Sequence, residues 1–471
     1  MLRHRLLLSF VILTTVTALV STLSAQSPRT WSPQKPDDRL KADLLLLVAH
    51  PDDDTLAGPY LARAIGEEKR RVAVIFMTSG DSGGNQAGAE RGTSLGLIRR
   101  TEGLRDLATL GITNVWYLGG HDTAGQDPQR SLANWDHGRA LADAVRLVRI
   151  TRPDVILTWL PMQVAGENHG DHQAAAVIAN EAFDLAGDPS AFPEQIAAPT
   201  QTFEPLLEGL RPWQPKKIYF MSDAIDTAFM EGHGPSYSVR ARSKVTGRPY
   251  WDTAYNQLRA HVTQYKPQLE QLAATNDAGR EQMLTNAPPG DALIEPLRLI
   301  RGKSLVGGAP TDDVFEAVAA GGVAYTPPPG FRPATASGVT LSLGGPWSFY
   351  RRFWQAHGLE ILTSIDLHDV GPVSAGNEVH IPLLITNGTD AEQRVSVKAT
   401  LPAGWKEKSR FFETVVVPAK SDAEFASILV PGTSASGGAV DVSYALDGTG
   451  LSATPLTVRV VVRPGGNPLP Q

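Results

Sequence analysis

The 471-residue chain contains no cysteine. That excludes disulfides and every zinc site built on thiolates, so any metal must be held by nitrogen and oxygen ligands. Long apolar runs are equally scarce. The only one that approaches spanning length, Leu6 to Leu23, follows the basic start MLRHR and precedes the small pair Ser24-Ala25. This is the pattern of a secretory signal over residues 1–25, removed on export, with an uncleaved membrane anchor as the rival reading, so the mature chain is expected to lack a membrane span and to be periplasmic or extracellular. Basic residues are not gathered into a strip, and the formal net charge is −6. A nucleic-acid partner is therefore not expected. Length alone argues for two domains or more.

What is present first is alternation. Asp43 to Ala49 is a continuous apolar run of strand length, as expected of a strand buried on both faces of a parallel sheet. Asp52 to Asp54 offer N-cap oxygens to a helix over Thr55 to about Glu68, and a second apolar run spans Val72 to Met77. A Gly-rich loop (Ser79 to Gly92), a helix near Leu97 to Leu110, strand Val115 to Leu118, a helix near Leu141 to Ile150, strand Val155 to Trp159, a helix from about Asp171 to Gly187 and strand Lys217 to Met221 continue the pattern. The expected fold is α/β, a doubly wound and mainly parallel Rossmann-like sheet. Trp251 to Ala320 reads as mainly helical.

At Thr326-Pro-Pro-Pro-Gly-Phe-Arg-Pro the composition turns to extended, linker-like backbone. Beyond it, short β-rich runs between turn residues such as Asn387-Gly388 and Asp447-Gly448 predict an all-β sandwich. The expected organisation is an N-terminal linker over 26–40, an α/β domain over 41–325, a bridging segment over 326–365 and a β-sandwich over 366–465.

Two clusters carry chemistry. His50-Pro51-Asp52-Asp53-Asp54 follows the first strand, and Glu167-Asn168-His169-Gly170-Asp171-His172 follows the strand ending at Trp159. Ligands of open parallel sheets bind beyond the carboxyl ends of the strands, so both clusters are expected at one crevice. An open zinc site takes three protein ligands and keeps a place for water, which His50, Asp53 and His172 supply. Asp52 is left as general base and His169 as the partner for negative charge on a carbonyl oxygen, with Asp171 behind them to orient His169 or a ligand. This donor set suits Zn2+, with Fe2+ as an alternative, and water attack on an amide.

Read together, these residues resemble the PIG-L/LmbE-like de-N-acetylase family, whose signature is a His-Pro-Asp-Asp-Glu run after the first strand and a later His-x-Asp-His. The resemblance assigns the same ligands, base and oxyanion partner. It also implies a zinc-dependent hydrolase that removes acetyl groups from N-acetylglucosamine-type sugars or glycoconjugates. Asp54 stands where the family usually has Glu, and is expected behind the ligands. Further matches are Arg100-Thr-Glu102, Asp122-Thr-Ala-Gly125 and His261-Val-Thr-Gln264, which imply substrate contacts from Arg100, Asp122 and His261. The tail, with Leu401-Pro-Ala-Gly-Trp405 and Val417-Pro-Ala-Lys-Ser421, looks like the immunoglobulin-like domain found beside galactosidase. Alternatives to a sugar de-N-acetylase are a zinc amidohydrolase for another acylated amine and a non-catalytic glycan-binding protein.

Overall fold

A computed structural model describes residues 37–164, 169–196, 210–224, 226–285, 296–331, 337–408, 414–432, 437–448 and 454–463. The expected export signal, and Glu167-Asn168 of the second cluster, lie outside the described residues. Within them, no helix is long and apolar enough to cross a membrane.

The first half alternates as β1 (Leu44–Val48), α1 (Asp54–Gly66), β2 (Val72–Thr78), α2 (Thr93–Thr109), β3 (Asn114–Gly120), α3 (Pro128–Asn134), α4 (His137–Thr151), β4 (Val155–Trp159), α5 (Gly170–Leu185) and β5 (Lys217–Met221). Every residue of β1, β2, β4 and β5 is buried, which is why these strands read as unbroken apolar runs instead of alternating ones. After β5 come β6 (Ser236–Tyr237), α6 (Trp251–Leu258), α7 (Val262–Ala273), α8 (Asp277–Thr285), β7 (Leu297–Arg298) and β8 (Ile300–Ser304). The stretch expected to be mainly helical thus also holds two strands. β7 is only two residues long, and β8, Ile-Arg-Gly-Lys-Ser, is too polar to form an apolar run.

The six-stranded sheet has the order β3-β2-β1-β4-β5-β8. Its first five strands are parallel, and β8 is antiparallel to β5. Strand order reverses between β1 and β4, so a crevice opens beyond their carboxyl ends. His50 follows β1 there, and Trp159 ends β4.

The second half contributes β9 (Val339–Leu343), α9 (Gly345–His357), α10 (Glu360–Ile365), β10 (Asp369–Ser374), β11 (Val379–Asn387), β12 (Gln393–Thr400), β13 (Lys406–Glu407), β14 (Val415–Val417), β15 (Ser421–Val430), β16 (Gly438–Asp447) and β17 (Leu456–Arg463). They form two sheets, β10-β17-β16-β12-β14 and β13-β15-β11-β9, antiparallel except for the β10–β17 pair. Val379, Ile381, Leu383 and Ile385 of β11 face Val458, Val460 and Val462 of β17 across one core, the two-residue period of a sandwich. Within the bridging segment, residues 340–365 are open in the sequence to reading as an early strand pair or as a packing bridge, and the segment supplies one strand and a bridge. Its β9 is the edge strand beside β11, while α9 and α10 bury Tyr350, Phe353, Trp354, Leu359, Leu362 and Ile365 in the core of the α/β sheet.

Candidate metal centre

The loop after β1 is folded by one carboxylate. Asp53 Oδ2 accepts from the backbone N–H of Ala49 and of His50, both at 2.9 Å, and from the indole Nε1–H of Trp159 at 2.7 Å. Three donors outcompete the helix end. Asp53 occupies the N-cap position of α1 yet makes no capping bond, so the sequence-based expectation of aspartate caps is corrected here. Thr55 Oγ1 bonds the Asp52 carbonyl instead, at 2.7 Å. Helix α2 packs directly on this loop, because Gly103 has no side chain. A Cβ there would sit 2.9 Å from the Pro51 carbonyl oxygen.

With Oδ2 committed, Asp53 Oδ1 turns to the two imidazoles. It lies 3.5 Å from His50 Nδ1 and 3.3 Å from His172 Nε2, and those nitrogens are 3.2 Å apart. Ligands bound at about 2.0–2.1 Å on three corners of a tetrahedron stand about 3.3–3.4 Å from one another. The triangle matches that spacing, so this His/Asp group can hold a metal ion. The far side of each imidazole is braced as well. His50 Nε2 lies 3.4 Å from both Asp122 Oδ1 and Asp171 Oδ2, and His172 Nδ1 lies 3.0 Å from Asp223 Oδ2. Trp159 stacks on His172 with centroids 4.0 Å apart and planes 8° from parallel.

Charge points the same way. Burial alone would push the imidazoles down, but Asp53, Asp122 and Asp171 hold His50 well above its usual range, and Asp53 and Asp223 raise His172 to about 10. Burial would raise Asp53, yet His172 and His50 hold it well below the usual carboxylate range. The carboxylates around the triangle demand positive charge at its centre. Two nitrogens facing each other at 3.2 Å cannot both carry a proton between them, whereas one divalent cation satisfies both lone pairs.

A cleft of about 390 Å³ opens over the triangle, lined among others by Asp52, Arg99, Asp122, His169, Gln264 and Tyr265. Asp52 Oδ2 accepts from Gln264 Nε2 and, at 3.1 Å, from the Tyr265 hydroxyl. His169 caps α5, and its Nδ1 accepts from the Asp171 backbone N–H at 3.2 Å. An accepting Nδ1 puts the proton of the neutral ring on Nε2. Burial, reinforced by His50 and His172, pushes the His169 pKa down and keeps that ring neutral.

Residues 45–183 match the family described as GlcNAc-PI de-N-acetylase, PIG-L. That span, under a third of the chain, carries a PIG-L domain. Its relatives include 1D-myo-inositol 2-acetamido-2-deoxy-alpha-D-glucopyranoside deacetylases. That of Geodermatophilus obscurus is 28% identical over 58% of this chain and 96% of its own length. That of Streptomyces avermitilis is 28% identical over 60% of this chain and 98% of its own. Among solved structures, an N,N'-diacetylchitobiose deacetylase from Pyrococcus horikoshii aligns over 57% of this chain and 87% of its own, with 18% identity and a TM-score of 0.38.

Within the PIG-L domain the two clusters meet, but not every residue assigned to substrate lies on the cleft. Arg100 is exposed, stacks on Tyr117 and does not line it. The neighbouring Arg99 does, with its guanidinium beneath the Gly-rich loop, 2.5 Å from the Gly80 carbonyl and 2.8 Å from that of Gly84. His261 is fully buried against Asp106, 2.8 Å away, with no face on the cleft. Asp122 lines the cleft but is turned to His50 and the Ser82 backbone N–H. Asp171 braces His50 through its carboxylate and reaches His169 only through its backbone. Asp54 lies behind the triangle, accepting from Gln257 Nε2 at 3.2 Å, and burial together with Asp106 pushes its carboxyl well up.

Four residues escaped the sequence reading as parts of the site: Trp159, Asp223, Gln264 and Tyr265. Asp223, Gln264 and Tyr265 also lie beyond the matched span. Asp223 carried a usable signal, since it stands two residues past the carboxyl end of β5, where strand-end logic places ligands.

Proposed function

We propose that this chain is a zinc-dependent de-N-acetylase of N-acetylglucosamine-type sugars. The observation that carries the reading is the triangle of His50 Nδ1, Asp53 Oδ1 and His172 Nε2, spaced as three corners of a tetrahedron beside the carboxylate of Asp52. The match of residues 45–183 to the PIG-L model and relatives named as deacetylases of a 2-acetamido-glucopyranoside support the choice of bond and substrate.

Zinc on the triangle would supply Lewis acidity toward water and the acetamide carbonyl. Asp52, held through Oδ2 by Gln264 and Tyr265, takes the proton of the attacking water. His169, neutral with its proton on Nε2, donates to the carbonyl oxygen as negative charge builds there. The C–N bond then breaks, the proton held by Asp52 passes to the amine nitrogen, and acetate leaves.

Acetate release from a panel of N-acetylglucosaminides, before and after metal stripping, tests the reading. Release should vanish with chelator and return with zinc. Asp52→Asn should keep the zinc and lower kcat by about 10²–10⁴. Release that survives stripping, or full activity of Asp52→Asn, would refute the mechanism.

A further inference from the structure

Two consecutive side chains, Gln264 and Tyr265, converge on one oxygen of Asp52. In a regular helix neighbouring residues point about 100° apart, so convergence requires a break. The break is there. Tyr265 departs from helical geometry at φ −126°, ψ 17°, and Pro267 follows within the same helix. A proline gives no backbone N–H, and its ring crowds the carbonyl four residues earlier, here that of Thr263.

The start of α7 is held from outside. His261, at its N-cap, makes no capping bond of its own. Glu102 on α2 caps the helix in its place: Oε1 accepts from the Thr263 backbone N–H at 2.9 Å and Oε2 from the Thr263 hydroxyl at 2.6 Å. One turn further along α2, Asp106 Oδ2 meets His261 Nε2 at 2.8 Å. All four of these residues are at most 5% exposed. Burying these polar groups costs desolvation energy, which their mutual hydrogen bonds offset while fixing the start of α7 against α2.

We propose that Glu102, Asp106 and His261 are positioning residues, a clamp between α2 and the kinked start of α7 that makes Gln264 and Tyr265 fix the orientation of Asp52. The proposal rests on the reading of Asp52 as general base. It gives the Arg-Thr-Glu and His-x-x-Gln pieces of the sequence a role without substrate contact. A base works only when its free oxygen is held within reach of the proton it takes.

Kinetics, zinc content and melting are to be compared for wild type, Tyr265→Phe, Glu102→Leu, Glu102→Gln, Asp52→Asn and the Asp52→Asn/Tyr265→Phe pair. Losing one donor should lower kcat about tenfold, with KM within twofold and zinc content unchanged. In the Asp52→Asn background the same change should cost nothing further, a coupling that a merely structural tyrosine would not give. Glu102→Leu should lose kcat as Tyr265→Phe does, and Glu102→Gln, which keeps an acceptor for Thr263, should recover most of it. Unchanged kcat in Tyr265→Phe while Asp52→Asn is crippled, or strictly multiplicative losses in the pair, overturns the proposal. Full activity of Asp52→Asn instead sinks the base reading. The clamp is then judged by crystallography of Glu102→Leu: Gln264 and Tyr265 displaced from Asp52 supports it, and both still in place overturns it. Should Glu102→Leu not fold, Tyr265→Phe and Gln264→Leu carry the same comparison, with their crystal structures reporting whether Asp52 has turned.

Discussion

Trp159 serves the triangle twice, through its face under His172 and through its N–H on Asp53. Trp159→Phe keeps a ring beneath the imidazole and deletes the donor, leaving Asp53 Oδ2 with two backbone partners. Zinc affinity should fall about tenfold or more, as for other losses behind metal ligands. Equilibrium dialysis against a competing chelator reads it, and unchanged affinity would mean that the indole N–H does not orient Asp53. The same residue shows where sequence reading stops. His50 to Asp54 and His169 to His172 were legible because imidazole and carboxylate groups after apolar strands have few bland explanations when two such clusters occur together. An indole closing an apolar strand reads as core, and Trp159 is core as well as brace. Gln264 stands 212 residues from the aspartate it holds, a pairing that no local pattern encodes.

Element by element, legibility followed burial. The strands β1, β4 and β5 and most of the sandwich strands emerged nearly to the residue, since a strand buried on both faces and a strand buried on one each leave a period in the sequence. Helix α3 is only seven residues long and carried no period of its own; its signal, unread in the sequence, is Asp127 capping it before Pro128. Strand β10 hid behind Gly371-Pro372 in its middle. That strand also carries a misfit charge. Asp369 is buried with Arg459 Nε 3.7 Å away, too far to compensate, and burial pushes its carboxyl up to about 6. A folded pKa above the unfolded value means that the native state prefers the neutral acid. The associated stability is full below about pH 4 and is lost as pH rises through about 6. Asp369→Asn, neutral at every pH, should therefore stabilise the chain by about 1–2 kcal/mol at pH 7.5 and leave it within about 0.5 kcal/mol at pH 4. Urea melts at the two pH values check both the size and the direction; equal effects at both would remove Asp369 as the titrating group.

At the scale of the whole molecule, α9 belongs to both cores. Trp347 is buried in the sandwich, and the Gly345 backbone N–H meets Glu424 at 2.6 Å. Further along the helix, Tyr350 donates to Gln173 at 2.7 Å, Trp354 to the Pro161 carbonyl at 2.8 Å, and His357 lies 2.7 Å from Asp184. Gln173 follows His172 directly, so α9 buttresses the helix that carries a proposed ligand. A chain ending at residue 325, where composition places the end of the α/β domain, would strip Tyr350, Phe353 and Trp354 from that core. Each aromatic removed from a packed core costs about 3–5 kcal/mol, and a domain has only about 5–15 kcal/mol in total. Residues 37–325 should therefore give no cooperative melt and bind no zinc. Residues 37–366, which keep α9 and α10, should melt cooperatively and bind zinc, with a lower Tm from the exposed β9 edge and Trp347. Circular dichroism melts and zinc titration of the two fragments decide it. A 37–325 fragment that melts like the full chain would make α9 a dispensable bridge; a folded 37–366 beside an unfolded 37–325 places the limit of the hydrolase unit after α10, well past the proline-rich break.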